Sequence, residues 1–271
     1  MSLIEKLANK ITHFLTTNVE KSRKVPLSDF KALCQNIVPC DVILVEGRSR
    51  SAKAINYITK SVWTHSAIYI GTVNEIPSCF NKSMNLIQFQ QTDRIIIESN
   101  LGEGVIVTSL EKYKEEHIRI CRPTGISENQ KITVLEYLST QIGHPYDARQ
   151  IFDLARFFFP WWVLPRKWRS SLFQHNAQSH TKASCSLLIA NAFINARFPI
   201  IPVIERKGSS HYFEAIIRNP RLFVPADFDY SPFFNIIKYP IIQLNGRHQD
   251  HITWDDSSIS NDEYGITKSP S

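Results

Sequence analysis

The chain has 271 residues, 43% hydrophobic and 11% aromatic, enough to bury a substantial core in one large domain or one domain with appendages. Lys and Arg (31) outnumber Asp and Glu (25), for a formal charge of +6, but the basic residues are scattered. With no zinc-finger spacing, no aromatic–basic RNA-binding motif and no basic heptad helix, no nucleic-acid partner is expected. Five cysteines at irregular spacing (34, 40, 79, 121, 185) speak for free thiols in a reducing compartment rather than a disulfide framework. No CxxC or HExxH is present, so neither a metal nor another cofactor is expected.

Leu3, Leu7, Ile11 and Phe14 recur at helical spacing, which predicts an amphipathic helix over 1–17. It lacks the apolar core and cleavage site of a secretory signal, and no window holds eighteen uninterrupted apolar residues. Residues 28–37 predict a second helix with Ser28 as cap. PCDVILVEG predicts a strand, and SAKAINYITK (51–60) a short helix with a serine cap. WTHSAIYIG (63–71) alternates and predicts a strand with Trp63, His65, Ala67 and Tyr69 on one face. A loop insertion at 72–91 leads to strands at 94–100, from 104, and at 117–123. SENQKITVLEYLSTQIG predicts a helix with a capping box, Ser127 and Gln130, and an apolar face of Ile132, Leu135 and Leu138. After an aromatic stretch comes a helix at about 184–196, then Pro-rich loops with short segments at 199–245. Strands first and helices later predict an α+β fold. The domains expected are a helical extension (1–38), one folded body (39–245) and a flexible polar tail (246–271).

Cys185 in TKASCSLLIANAF raises the main chemical question. A helical cysteine is most often a small buried hydrophobe. With Ser184 as cap, however, Cys185 falls in the first turn, where unpaired N–H groups and the helix dipole favour a thiolate and can stabilise an oxyanion. A cysteine nucleophile needs a base held by a third group. His65 stands on a strand, a rigid platform that suits a base and equally suits a half-buried structural histidine. Glu98 ends the apolar run RIIIESN, on one face with Arg94 and Ile96. It either points to water or, if the two strands are neighbours, bonds the imidazole and fixes its tautomer.

The order HSAIYIG, IIIES, GHPYD, CSLLIANAF resembles the circularly permuted papain-fold hydrolases of the NlpC superfamily, closest to the YiiX/YebB-like group. Lecithin:retinol acyltransferase-like enzymes are more distant relatives. CDVILVEG before the histidine strand and PADFDYSPFF near the end also fit, so the resemblance covers about 39–239. It implies a permuted papain-like α+β fold, an antiparallel sheet or barrel packed against helices, with the catalytic cysteine at a helix N-terminus. It implies Cys185 as nucleophile, His65 as base, Glu98 as orienting residue, and Tyr146 of GHPYD as a donor near the oxyanion.

LARFFFPWWVLPRKWR (154–169) packs three Phe and three Trp beside Arg166, Lys167 and Arg169. It reads as a packed core segment or as an apolar substrate or membrane contact carried by Phe158, Trp161 and Trp162. The expected function is a thiol-dependent hydrolase that cleaves an amide or ester of a peptide, isopeptide or lipid. An acyltransferase with the same triad, and a non-catalytic membrane- or protein-binding module, are the alternatives. The expected location is cytoplasmic, or another cell reached by a signal-less secretion route, with peripheral membrane contact open.

Overall fold

A computed structural model of the protein describes residues 3–19, 27–80, 88–145, 185–206 and 213–239, with short strands at 259–260 and 267–268. The framework is a six-stranded antiparallel sheet built from β1 (Val42–Val45), β2 (His65–Thr72), β3 (Arg94–Asn100), β4 (Gly104–Ser109), β5 (Ile118–Pro123) and β8 (Phe234–Ile237). Its spatial order is β4-β3-β2-β1-β5-β8. Among the described residues the sheet is open, with β4 and β8 as its edges, so of the expected sheet or barrel it is the sheet that forms there. A separate hairpin pairs β6 (Val203–Arg206) with β7 (Phe213–Ile216). Within the segment expected to be a flexible tail, β9 (Ile259–Ser260) pairs with β10 (Thr267–Lys268).

Both faces of the sheet are covered. On one, Val42, Leu44, Ile68, Ile70, Ile95 and Ile97 meet α4 (Glu128–Gln141) and α5 (Cys185–Asn195). On the other, Ile43, Val45, Ala67, Tyr69 and Ile96 meet α2 (Phe30–Asn36) and a 3-10 turn at Leu110–Tyr113. Burial on both faces explains why β1 reads VILV without a polar residue. The core contacts of Leu33 and Ile37 tie α2, which lies within 1–38, to the main body. α5 buries Leu187, Leu188, Ile189, Ala190, Ala192 and Phe193, which suits a helix enclosed by sheet and α4. Edge-on contacts of Phe234 with Phe193, Phe198 and Phe228 tie its far end to β8 and α6 (Ala226–Tyr230).

The remaining helices among the described residues are α1 (Leu3–Thr16) and α3 (Arg50–Thr59). No helix among the described residues is long and apolar enough to cross a membrane. Four local expectations need correction. Asp29 rather than Ser28 caps α2, accepting from Ala32 N–H at 2.9 Å, because the Ser28 hydroxyl is taken by the backbone of Ile118. Ser49, not a serine at 51, caps α3. In α4 the capping box forms, but Ile132 is 53% exposed and Val134 takes its place beside Leu135 and Leu138. Trp63 packs with Ile68 and Ile70 instead of following His65, because β2 begins only at His65 and alternation has no force before it.

Candidate active site

Strand register brings His65 and Glu98 together. β2 and β3 pair with Ala67 opposite Glu98, and His65, two residues before Ala67, shares its face. His65 Nε2 lies 2.7 Å from Glu98 Oε2. A bulge near Tyr69 and Gly71 shifts the register farther along, and the left-handed φ of Gly71 (+125°) accommodates it.

Glu98 is fully buried, a costly place for a carboxylate without partners. It has four donors. Oε2 accepts from His65 and from the Tyr113 hydroxyl; Oε1 accepts from the Lys112 ammonium at 2.5 Å and the Asn100 amide at 3.2 Å. Burial alone would raise the carboxyl pKa, but the bond and charge of His65, with Lys112, hold it down to about 2. Burial followed by the Glu98 charge pushes the Tyr113 phenol up, so it remains a donor. An ionised Glu98 only accepts, so the proton of that contact sits on His65 Nε2. The other ring nitrogen, Nδ1, is left for the sulfur.

Cys185 is the first residue of α5, which packs on β2 and β3. The neighbouring Ser186 hydroxyl anchors this end of the helix to Phe223 O at 2.7 Å. The Cys185 sulfur lies beside the His65 ring and Ser66, near enough for both to act on its charge. Burial acts to raise this thiol, but the His65 charge and hydrogen bond, with the Ser66 donors, outweigh it and lower the pKa. Correspondingly, burial lowers His65, while the Cys185 charge and bond, then Glu98, raise it above its usual value. The pair is thereby stabilised as thiolate and imidazolium.

Cys185 and His65 line a cleft of about 720 Å³. Its walls include Thr12, His13 and Thr16 of α1, Ser51 of α3, Asn100 at the end of β3, and Glu103 in the turn to β4. The lining is rich in hydroxyl, amide and charged groups, with Ile55 and Leu101 among its few apolar members. Near this end of the sheet, Gly143 and His144 reach β4: Val105 N–H donates to His144 O, and Gly143 N–H donates to Val105 O, both at 2.9 Å. Gly104 permits the approach, since a Cβ there would stand 2.3 Å from His144 O.

Of the residues singled out from sequence, the structure brings together Cys185, His65 and Glu98. Tyr146, Phe158, Trp161, Trp162 and the expected cap Ser184 lie outside the described residues. Sequence reasoning did not single out Lys112, Tyr113, Asn100 or Ser66. The first two sit in EKY after a strand, and no local signal marks a turn that folds back beneath Glu98. Among the described residues, no three His, Cys, Asp or Glu side chains gather as a metal site.

A family model described as permuted papain-like amidase enzyme, YaeF/YiiX, C92 family, matches residues 18–158. The match contains His65 and Glu98 and ends before Cys185. A solved structure titled as the metalloprotein YiiX from Escherichia coli O157:H7 (DUF1105) aligns with TM-score 0.43 and 15% identity, covering 74% of this chain and 96% of that one. No curated protein matches the chain. With more than half its length matched, the chain belongs to the permuted papain-like amidases of the C92 family, cysteine amidase- or peptidase-like hydrolases acting on amide-containing substrates.

Proposed function

We propose that the protein cleaves its amide through a Cys185 thiolate, with His65 as proton carrier and Glu98 as the residue that orients His65. A contrast among the five free cysteines carries this reading. Burial pushes the thiol of Cys34 up to about 11 and that of Cys40 up to about 12, and raises Cys79 and Cys121 as well. Cys185 alone is driven down, by His65.

In the resting pair, His65 Nε2–H donates to Glu98 and Nδ1–H to the sulfur. The thiolate attacks the carbonyl carbon, a C–S bond forms, and the carbonyl electron pair moves onto oxygen. The first-turn N–H groups of α5 are suited to stabilise that oxyanion. As the C–N bond breaks, His65 Nδ1–H protonates the departing amine. Neutral His65 then takes a proton from water, the hydroxide attacks the thioester, and the C–S bond breaks to return the thiolate. Glu98 remains ionised throughout and pairs with the imidazolium whenever it forms.

The hydroxyl, amide and charged side chains spread through the cleft offer partners for a peptide backbone, and on them the reading takes a peptide or isopeptide amide as substrate rather than a lipid amide or ester. The catalytic body in this reading is residues 39–245, and α1 of the 1–38 segment contributes a cleft wall. Site-resolved mass spectrometry after brief iodoacetamide treatment near pH 6 tests the nucleophile. Cys185 is expected to alkylate at least about tenfold faster than Cys34, and equal rates overturn the assignment. Dipeptide amides assayed beside a long-chain N-acyl amide test the substrate class; preference for the acyl amide overturns the peptide reading. The same assay with an added amine separates hydrolysis from acyl transfer, because transfer leaves an amide product in place of a free acid.

A further inference from the structure

Ser66 follows the histidine on β2, on the face where α5 packs, and it is fully buried. The β2–β3 ladder ends at Ala67–Glu98, so Ser66 stands one residue beyond it and β3 does not take its backbone N–H. That N–H goes to the Cys185 sulfur, and the Ser66 hydroxyl lies against the same atom. Among the described residues the hydroxyl has no hydrogen-bond partner in the resting geometry. A buried hydroxyl in that position is destabilising unless something accepts from it, and the sulfur is the acceptor at hand.

We infer that Ser66 is part of the reacting constellation: its hydroxyl and backbone N–H donate to the Cys185 thiolate and hold the sulfur at the mouth of the cleft. Three donors then converge on one atom: the His65 ring from the strand end, the Ser66 N–H past the ladder, and the Ser66 hydroxyl from the sheet face. The two Ser66 donors come from the residue next to the base, so the strand that positions the imidazole also positions the sulfur. When the sulfur bonds to carbon its charge is consumed, and the donors lose their acceptor. Ser66 keeps its proton throughout. It sets how much thiolate is present and where the thiolate points, while His65 carries the proton.

The inference rests on Cys185 as the nucleophile, and one experiment separates the two. The full chain and Ser66→Ala are alkylated with iodoacetamide from about pH 4 to about pH 10, with each cysteine followed by mass spectrometry. In the variant, the midpoint for Cys185 is expected to rise by about 1 pH unit, its rate near pH 6 to fall about five- to tenfold, and Cys34 to be unaffected. An unchanged Cys185 midpoint in a folded variant overturns the role of Ser66, because an orphan hydroxyl can be removed without touching the thiol. Wild-type Cys185 reacting no faster than Cys34 overturns the nucleophile reading instead. Ser66→Gly removes the same hydroxyl should the alanine variant not fold. Ser66→Thr, which retains the hydroxyl, is expected to keep the wild-type midpoint.

Discussion

Ala67 and Glu98 face each other across the β2–β3 ladder, and this single register puts the Glu98 carboxylate beneath the His65 ring. A slip of one residue would turn Glu98 to the opposite face, among Ile95 and Ile97. Both strands are buried on both faces, so the register is held by packing on each side.

Glu98→Gln keeps the shape and removes the charge. The four groups around Glu98 are all donors, so an NH2 in place of either oxygen meets another donor. The His65 imidazolium also loses its counter-charge. Amidase kcat/KM is expected to fall roughly 10²–10³-fold, with the Cys185 alkylation midpoint moving upward. A loss of less than about threefold would remove Glu98 from the orienting role.

The same carboxylate makes a prediction about acid stability. Its pKa drops from 4.5 to about 2 in the folded protein. Folding therefore gains stability from Glu98 above its unfolded value and loses it as pH falls through the folded one. Thermal midpoints measured between about pH 5 and about pH 2 are expected to fall more steeply for wild type than for Glu98→Gln. Parallel curves would mean that Glu98 is not held ionised.

Lys112 and Tyr113 support Glu98 unequally. Tyr113 is buried and bonds the same oxygen as His65, whereas the Lys112 side chain is 41% exposed and screened by water. Tyr113→Phe is expected to lower kcat about ten- to twentyfold, as one charge-assisted bond is lost beside the imidazole. Lys112→Met is expected to lower it only about two- to threefold, and added salt should reduce the difference from wild type. Steady-state assays at low and high salt decide this, and the reverse order of effects would contradict the geometry.

Alternation and turn residues made the strands legible in the sequence. RIIIESN occupies β3 from Arg94 to Asn100, as its pattern suggests, and Ala67 and Tyr69 take the face that period-two reading assigns them. Neighbour relations were not legible: nothing local says that β3 lies beside β2, although the pairing of Glu98 with His65 depends on it. The 3-10 turn at Leu110–Tyr113 is a second case. Lys112 and Tyr113 meet Glu98 across the fold of β3 on β4 and the turn after it, a tertiary relation with no periodic signature. Ser66 was legible only as a position on a face, because its partner lies more than a hundred residues away.

Gly104→Ala tests how residues 143–145 are held. Gly104 has φ +84°, and an added Cβ would clash with the backbone carbonyl of His144, which cannot rotate away as a side chain could. The positive φ and the displaced segment together are expected to cost about 2–4 kcal/mol, read as a lower denaturation midpoint. A change below about 0.5 kcal/mol would show that residues 143–145 move aside without penalty.

Thr16→Trp tests whether α1 is a wall of the substrate cleft. Thr16 is exposed at the end of α1 and lines the same cavity as His65 and Cys185. A tryptophan there fills cleft volume without touching the Glu98–His65–Cys185 chain, and an exposed helix-end position tolerates it at a cost within about 0.5 kcal/mol. A small alkylating agent still reaches the sulfur, so the iodoacetamide rate at Cys185 is expected to stay as in wild type. A peptide-sized substrate has to share the space, so KM is expected to rise about five- to tenfold with kcat nearly unchanged. The split between the two readouts carries the test. Loss of both would point to damage at the reacting groups, and loss of neither would mean that substrate approaches from a side α1 does not border.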